Sequence, residues 1–199
     1  MTQRRAVRPL SLDRTPDPGE VTRLLREVRG GNGTAIDQVM SLMYDDLRAL
    51  ARSQLRREYA ARTLEPTTLV HEAYLKMVRG ANLEAMDRGH LLALAGHAMR
   101  QVLVDYARRR KAAKRADAWK QVTLTDAGPE GGLDAEALLA LDDALEQLEP
   151  RQRQIVECRF FAGMDDAEIA ATLGVTDRTV RREWVKARAR LNRVLYGSE

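Results

Sequence analysis

The segment 163–191, GMDDAEIAATLGVTDRTVRREWVKARARL, predicts two helices that meet at a tight corner. Asp165 and Glu168 have the spacing of a capping box, in which each side chain accepts a hydrogen bond from the other residue's backbone N–H. Gly174 then interrupts the apolar pattern, and glycine adopts a left-handed turn without steric cost. Thr176 provides an N-cap for the next helix. These features predict a helix-turn-helix, the motif that places its second helix in the DNA major groove.

The second helix of this corner separates apolar from basic side chains. Val180, Trp184 and Ala187 fall on one face, and basic residues dominate the others. Between residues 177 and 196 there are seven Lys or Arg residues and two Asp or Glu residues. A solvated basic face is the simpler explanation, but the turn, the cap and the sidedness together favour DNA binding. The candidate DNA contacts are Thr176, Arg178, Thr179, Arg181, Arg182 and Lys186.

The whole chain is predicted to be all-α. Aromatic residues make up only 5% of the 199 residues, and the abundant Ala, Leu, Arg and Glu favour helices. One helix is expected after Pro66 with Thr67 or Thr68 as its cap, and another after an Asp87 cap. In the helix that begins at Pro150, Ile155, Val156 and Phe160 should face inward. The remaining helices are predicted at 19–29, from 34 to 58, and at 134–149.

A second basic block ends the helix that follows Asp87. Its sequence, DYARRRKAAKR, follows an apolar stripe and includes Arg108, Arg109 and Lys111, with Arg100 two turns earlier. Cations at a helix C-terminus can simply complement the helix dipole, but one or two would suffice for that. The length of the block favours contact with phosphates along a duplex or a separated strand.

Composition excludes several classes of protein. Cys158 is the one cysteine, so no internal disulfide or zinc cluster is expected, and we predict it to be a small buried hydrophobe. The N-terminus lacks the apolar core of a signal peptide, and no apolar run approaches the roughly 20 residues of a membrane span. His90 and His97 lack further ligands for a metal site. We therefore expect a cytoplasmic protein without cofactor, metal or membrane insertion, and not an enzyme.

Three motifs in this order resemble a bacterial sigma-70 family sigma factor of the extracytoplasmic-function (ECF) group. LVHEAYLKMV resembles the polymerase-binding segment of region two, and MRQVLVDYARRR resembles its promoter-recognition segment. LEPRQRQIVECRFFAGMDDAEIAATLGVTDRTVRREWVKARARL resembles region four. The resemblance extends over about residues 19–197, and the LVHEAYL and REW motifs suggest a distinct subgroup.

The resemblance implies a function and the residues that would contact DNA and polymerase. Such a protein binds core RNA polymerase and directs promoter-specific transcription initiation, with contacts to the β′ clamp and the β flap. An anti-sigma factor is a further candidate partner. The candidate DNA contacts of the recognition helix would bind the minus-thirty-five element. Minus-ten contacts would be Arg100, Gln101, Asp105, Tyr106, Arg108, Arg109 and Lys111. Contacts to core polymerase would be His71, Glu72 and Lys76.

The predicted organisation is a disordered arm (1–17), region two (18–115), a flexible linker (116–133) and region four (134–199). The linker contains Pro129 and two consecutive glycines and has no helical periodicity. We expect the two domains of the free protein to be mobile or loosely packed. The acidic helix 134–149 and the basic strip 108–115 could then pair and cover DNA-binding surfaces.

Other interpretations remain open from the sequence. The chain could be a stand-alone regulator that binds its operator as a dimer, since such regulators also contain a helix-turn-helix. This interpretation leaves the LVHEAYLKMV segment and the second basic block unexplained. An RNA-binding adaptor is a third hypothesis, which the low aromatic content disfavours. Glu183 could accept a hydrogen bond from cytosine N4 or pair with a neighbouring arginine, and we favour the pairing.

Overall fold

A computed structural model describes residues 17–57, 64–79, 85, 87–117 and 135–197. Within these ranges the chain forms eight α-helices and no β-strand, which confirms the all-α prediction. The first domain consists of α1 (Pro18–Arg29), α2 (Thr34–Arg57), α3 (Pro66–Arg79) and α4 (Arg88–Asp117). The second consists of α5 (Ala135–Glu146), α6 (Pro150–Phe160), α7 (Asp166–Leu173) and α8 (Asp177–Tyr196). None of the described helices is both long and apolar enough to cross a membrane.

The first domain packs α1–α4 around one apolar core, to which Leu24, Met43, Leu69 and Leu91 contribute buried side chains. Asp17, which we assigned to the N-terminal arm, is the N-cap of α1, because its side chain accepts a hydrogen bond of 3.0 Å from the Gly19 N–H. The rest of the arm that we predicted to be disordered, residues 1–16, lies outside the described residues.

The start of α3 differs from the sequence prediction. The helix begins at Pro66, and the Leu69 N–H donates to the Glu65 carbonyl at 3.0 Å. Proline is favoured at the first helical position because its φ is already helical and its missing N–H is not needed there. Thr67 and Thr68 therefore lie inside the first turn, and the prediction that one of them caps the helix is wrong. Its predicted end, Gly80, lies outside the described residues.

The longest helix, α4, is buried on more than one side. Asp87 caps it as predicted, accepting a hydrogen bond of 2.9 Å from the His90 N–H. The sequence predicted one buried stripe, but Met99 and Leu103 are also buried. The reason is that α4 contacts α2 and α3 of its own domain and also α5, α6 and α7 of the second domain. The helix extends through 116–117 of the predicted linker, and 118–133 lie outside the described residues.

In the second domain, α6 begins at Pro150 as predicted, and Ile155 and Val156 are buried. The expectation that Phe160 faces inward is wrong. Phe160 is 37% exposed, whereas Phe161 is 3% exposed. The α-helix ends at Phe160, and Phe161 is its C-cap, whose N–H still donates to the Glu157 carbonyl. The Phe161 ring packs in the core with Leu145 and Val156.

The two domains are in close contact, not loosely packed as we expected. Leu138 of α5 is part of the core of the first domain, and Leu92 and Ala93 of α4 pack against the core of the second. At Gly96, an added Cβ would lie 3.0 Å from backbone atoms of Phe161, so a side chain has no room there. We call this packing of α4 against α5–α7 the closed arrangement.

Candidate nucleic-acid interface

The corner between α7 and α8 has the predicted geometry. The Glu168 N–H donates to Asp165 Oδ1 at 2.8 Å and the Asp165 N–H donates to Glu168 Oε2 at 2.9 Å, so the capping box is complete. Gly174 has φ 63°, in the left-handed region, and ends α7. Thr176 caps α8 by accepting from the Thr179 N–H at 3.3 Å. These hydrogen bonds and the glycine turn fix the angle between α7 and α8.

Helix α8, the second helix of the corner, presents its basic side chains to solvent. Val180 and Ala187 are buried against the rest of the domain. On the opposite side, the side chains of Arg181, Arg182 and Lys186 are 68%, 63% and 56% exposed. Such long side chains on one helix face can reach base edges and phosphates in a major groove. The other predicted contacts are the exposed Thr176 and Arg178 and the half-buried Thr179.

Glu183 forms ion pairs with two of these cations. Its carboxylate accepts hydrogen bonds from Arg182 Nε at 3.0 Å, Lys186 Nζ at 3.1 Å and Gln152 Nε2 at 3.2 Å. The hydrogen bond from Gln152, followed by the bonds from the two cations, lowers the pKa of the carboxyl to about 2. Glu183 therefore pairs with a neighbouring arginine, which is the alternative that we favoured. It also accepts a hydrogen bond from Lys186. The buried Gln152 is a participant that the sequence analysis missed.

We expect Glu183→Gln to lower the free energy of unfolding by about 1–3 kcal/mol near neutral pH, since three donors lose a charged acceptor. The folded-state pKa lies below the ordinary value, so this stabilisation is present above about pH 5 and is lost as the pH falls toward 2. The difference between wild type and variant should therefore shrink on acidification. Urea unfolding from about pH 7 to about pH 3 measures it.

Glu146→Gln is the matched control for this prediction, because Glu146 is exposed on α5. Its effect near neutral pH should stay within about 0.5 kcal/mol. Equal stability of wild type and Glu183→Gln near neutral pH, or a difference that grows on acidification, would contradict the role given to Glu183.

A second acidic residue, on α7, forms an ion pair with α8. Asp166 pairs with Arg181 at 3.1 Å and also with Arg159 of α6. The Arg159 guanidinium lies over the Trp184 ring, 4.7 Å from its centroid, within the range of a cation–π contact. Neither Asp166 nor Arg159 was singled out in the sequence, because a charge at a helix end gives no sign of its partner in another helix.

The predicted minus-ten residues of α4 are less accessible than the basic side chains of α8. Several of them form ion pairs with acidic residues of the second domain. Arg100 is 2% exposed and pairs with Asp142 and, at 3.0 Å, with Glu157. Arg108 pairs with the same Asp142 at 3.2 Å. Lys111 Nζ lies 3.3 Å from Glu136 Oε1. In the closed arrangement these cations are therefore engaged by α5 and α6.

His97 extends this network. Its Nδ1 lies 3.1 Å from Glu157 Oε2, and its Nε2 lies 2.8 Å from Nε2 of the predicted contact Gln101. Burial alone would raise the pKa of Glu157. The hydrogen bond and charge of His97, together with the Arg100 charge and a hydrogen bond from Arg153, instead hold it below its ordinary value. Glu157 is therefore a carboxylate that links α6 to α4.

The remaining predicted minus-ten residues lie along the end of α4. Asp105 pairs with Lys76 of α3 at 2.8 Å, which joins a predicted promoter contact to a predicted polymerase contact. Arg109 is exposed and donates to the Asp105 carbonyl at 3.3 Å. Tyr106 is half-buried. This edge of the helix is more accessible than the part around Arg100.

The predicted polymerase-binding segment lies on α3. Leu69, Val70 and Ala73 are buried, while His71 and Glu72 are exposed. Beside them a groove of about 260 Å³ lies between α2 and α3, lined in part by Met40, Tyr44, Thr67 and His71. Tyr74 borders it and bonds Asp37 at 3.3 Å; burial and the Asp37 charge raise the pKa of this phenol.

The described residues contain no group of three or more His, Cys, Asp or Glu side chains that could hold a metal ion. Cys158 is buried, as predicted, and burial with the nearby Glu157 charge raises the pKa of its thiol to about 11. His90 pairs with Asp87 at 3.1 Å.

A family model for ECF sigma factors matches residues 18–197. The chain belongs to the ECF sigma factor family. ECF sigma factors direct RNA polymerase to promoters when transcription begins, and they are regulatory proteins, not enzymes. The family model covers both domains and so includes the α3–α4 segments that a stand-alone regulator leaves unexplained.

Two solved structures are similar to this ECF sigma factor. One is CnrH in complex with the cytosolic domain of CnrY, with 20% identity, a TM-score of 0.39, and coverage of 90% of this chain and 99% of that chain. The other is the sigma factor RpoE in complex with the anti-sigma factor NepR from Bartonella quintana, with 22% identity and a TM-score of 0.35. That match covers 82% of this chain and 98% of the other. The comparison with curated proteins found no match.

Proposed function

We propose that this ECF sigma factor binds core RNA polymerase through α3, the minus-ten element through α4 and the minus-thirty-five element through α8. The observation that carries the proposal is the recognition helix. Its apolar side is buried, and the side chains of Arg181, Arg182 and Lys186 are each more than half exposed. Region two would be residues 18–115, the linker 116–133 and region four 134–199.

Binding at minus thirty-five would combine phosphate and base contacts of α8. Arginine can donate two hydrogen bonds to the O6 and N7 atoms of guanine, a contact that distinguishes base pairs. Arg182 and Lys186 form ion pairs with Glu183, and Arg181 forms an ion pair with Asp166. These ion pairs reduce the conformational freedom that the side chains must lose on binding. Arg178 and Thr179 at the start of the helix would complete the contact.

Minus-ten recognition would use α4, which carries a cationic face from Arg100 to Lys111. A separated DNA strand can follow such a face because its phosphates are neutralised by successive cations. Asp105 and Gln101 supply the groups that can form hydrogen bonds with bases. The ion pair of Asp105 with Lys76 connects this surface to α3, so docking on polymerase and strand recognition would involve adjacent side chains.

Core polymerase would contact the exposed His71 and Glu72 and the groove between α2 and α3. We place a second polymerase contact, to the β flap, in an apolar groove of about 450 Å³ between α5, α6 and α8. Leu141, Phe160, Trp184 and Leu191 contribute to its lining. An apolar groove of this size can accept side chains of a partner helix. An anti-sigma factor remains a candidate partner, and the cytoplasm the proposed site of action.

The test of this proposal is direct binding of the purified chain to fluorescently labelled core enzyme. A sigma factor should bind core in the absence of DNA, and the complex should then retain promoter fragments that neither component retains alone. A stand-alone regulator would bind its DNA site without core enzyme and would show no affinity for the labelled core. An RNA-binding adaptor would instead prefer structured RNA.

A further inference from the structure

We propose that Val185 of α8 contacts the 5-methyl group of a thymine in the minus-thirty-five element and so specifies one A·T base pair. The inference rests on the proposed placement of α8 in the major groove. The DNA contacts of α8 that were predicted from the sequence are all basic or hydroxyl side chains. Val185 would add an apolar contact, which recognises a feature of the promoter that hydrogen bonds do not.

Val185 is unusually exposed for an aliphatic side chain. Its exposed fraction is 58%, against 46% for Val78 and 37% for Val194. Among the large apolar side chains of the described residues, only that of Tyr196, the last residue of α8, is more exposed. A β-branched residue inside a helix lowers helix propensity, a cost that burial normally offsets. In the free protein Val185 therefore contributes neither core packing nor helix propensity.

Val185 also lies on the side of α8 that faces away from its own domain. The buried Val180 and Ala187 are about 140–160° away from it around the helix, at about 3.6 residues per turn. Arg181 and Arg182 lie about one turn before it on the exposed side. Val185 is therefore at the centre of the surface that α8 would place in the groove.

The neighbouring cations leave Val185 uncovered. Long basic side chains can cover an apolar neighbour with their methylene groups. Here Arg181 pairs with Asp166 at 3.1 Å, and Lys186 pairs with Glu183 at 3.1 Å. Asp166 belongs to α7 and Glu183 is buried against the domain, so both ion pairs direct the cations toward the domain. The methyl groups of Val185 stay accessible between them.

Thymine is the base that offers an apolar group to such a side chain. Its 5-methyl group projects into the major groove, where the other bases present hydrogen-bond donors or acceptors. A valine placed against a donor or acceptor would remove water from it without providing a hydrogen bond, which costs free energy. Contact with a thymine methyl group instead removes apolar surface of both groups from water. Val185 would therefore favour thymine over the other three bases.

The thymine should lie near the base pairs that Arg181 and Arg182 reach. Four residues of α-helix span about 6 Å along the helix axis, and stacked base pairs are about 3.4 Å apart. A thymine in contact with Val185 would thus lie within about two base pairs of a contact made by either arginine. The short valine side chain requires a close approach to the bases, which the small, exposed Ala189 one turn later permits.

Deoxyuridine tests the contact, because it lacks only the 5-methyl group of thymine and forms the same base pair. The complex of core polymerase with the full chain would be titrated with duplex promoter fragments from start sites found by run-off transcription. Each thymine of the minus-thirty-five element would be replaced in turn. One replacement should weaken wild-type binding about fourfold, the value of one buried methyl group. Val185→Ala should lose at least about fourfold on the unmodified promoter and should not respond to that replacement.

Val194→Ala is the matched control. It removes the same atoms from the same helix, at a position about 180° around the helix axis from Val185. This control should keep the wild-type affinity and the wild-type response to deoxyuridine. Both variants should keep the helical circular dichroism of the wild type, because alanine has the highest helix propensity.

Equal responses of wild type and Val185→Ala to every deoxyuridine replacement would overturn the inference. So would a minus-thirty-five element that contains no A·T base pair. A failure of the proposed function gives a different result, because Arg181→Ala with Arg182→Ala would then bind the promoter like the wild type. Loss of binding in that arginine variant, together with equal deoxyuridine responses, would contradict the Val185 contact alone.

Discussion

Replacing Arg181 and Arg182 together by alanine is expected to weaken promoter binding by the polymerase complex at least about thirtyfold, or about 2 kcal/mol. Each arginine that contacts a base contributes about 1–3 kcal/mol and specifies one promoter position. A phosphate contact instead weakens all sequences alike and reduces the salt dependence. Titrations of promoter fragments over a range of salt concentrations separate these two roles for each single variant.

The matched control removes the same charge from the same helix. Arg190→Ala combined with Arg193→Ala changes two exposed arginines nearer the C-terminal end of α8, outside the predicted contact set. This control should lose less than about tenfold in affinity. If the Arg181 and Arg182 variants bind promoter DNA like the wild type, the placement of α8 in the groove is wrong.

Glu72→Arg should lower the affinity for core polymerase by at least about tenfold, or about 1.4 kcal/mol. Glu72 is exposed on α3, whose opposite side is buried by Leu69 and Ala73. If the partner surface is basic, as the family resemblance implies, reversing the charge places like charges together. Competition with wild type for fluorescent core enzyme measures the loss. Thermal unfolding should barely change, because an exposed substitution usually shifts stability by about 0.5 kcal/mol or less.

Glu146→Arg provides the control for net charge, since it makes the same charge reversal on the exposed side of α5. It should bind core like the wild type. Unaltered core affinity of folded Glu72→Arg would remove Glu72 from the interface. Equal losses in both variants would show that overall charge, and not the α3 surface, determines the affinity.

Features set by near neighbours in the chain were predictable. The capping box of α7, the Gly174 turn and the Thr176 cap each depend on residues within a few positions. Asp87 at the start of α4 and Pro150 at the start of α6 are of the same kind. These signals also predicted the orientation of α8 and therefore which of its side chains are exposed.

Features that depend on contacts between the domains were not predictable in detail. Opposite charge suggested that the acidic helix and the basic strip could pair, but gave no partner for any residue. The burial of Arg100 depends on Asp142 and Glu157, which are far from it in sequence. The spacing of apolar residues likewise predicted only one buried face for α4. It could not show that helices of the second domain also pack against α4. The Phe160 error arose where the helix ends and regular periodicity stops.

Run-off transcription measures whether this chain gives core RNA polymerase its promoter specificity. Purified core enzyme, with and without the chain, would transcribe a library of genomic fragments. We predict discrete transcripts that require the chain, from start sites sharing two upstream elements at a fixed spacing. Arg181→Ala with Arg182→Ala should abolish most of these transcripts. Transcripts that are identical with and without the wild-type chain, although it is folded and present in excess, would show that the chain does not act as a sigma factor.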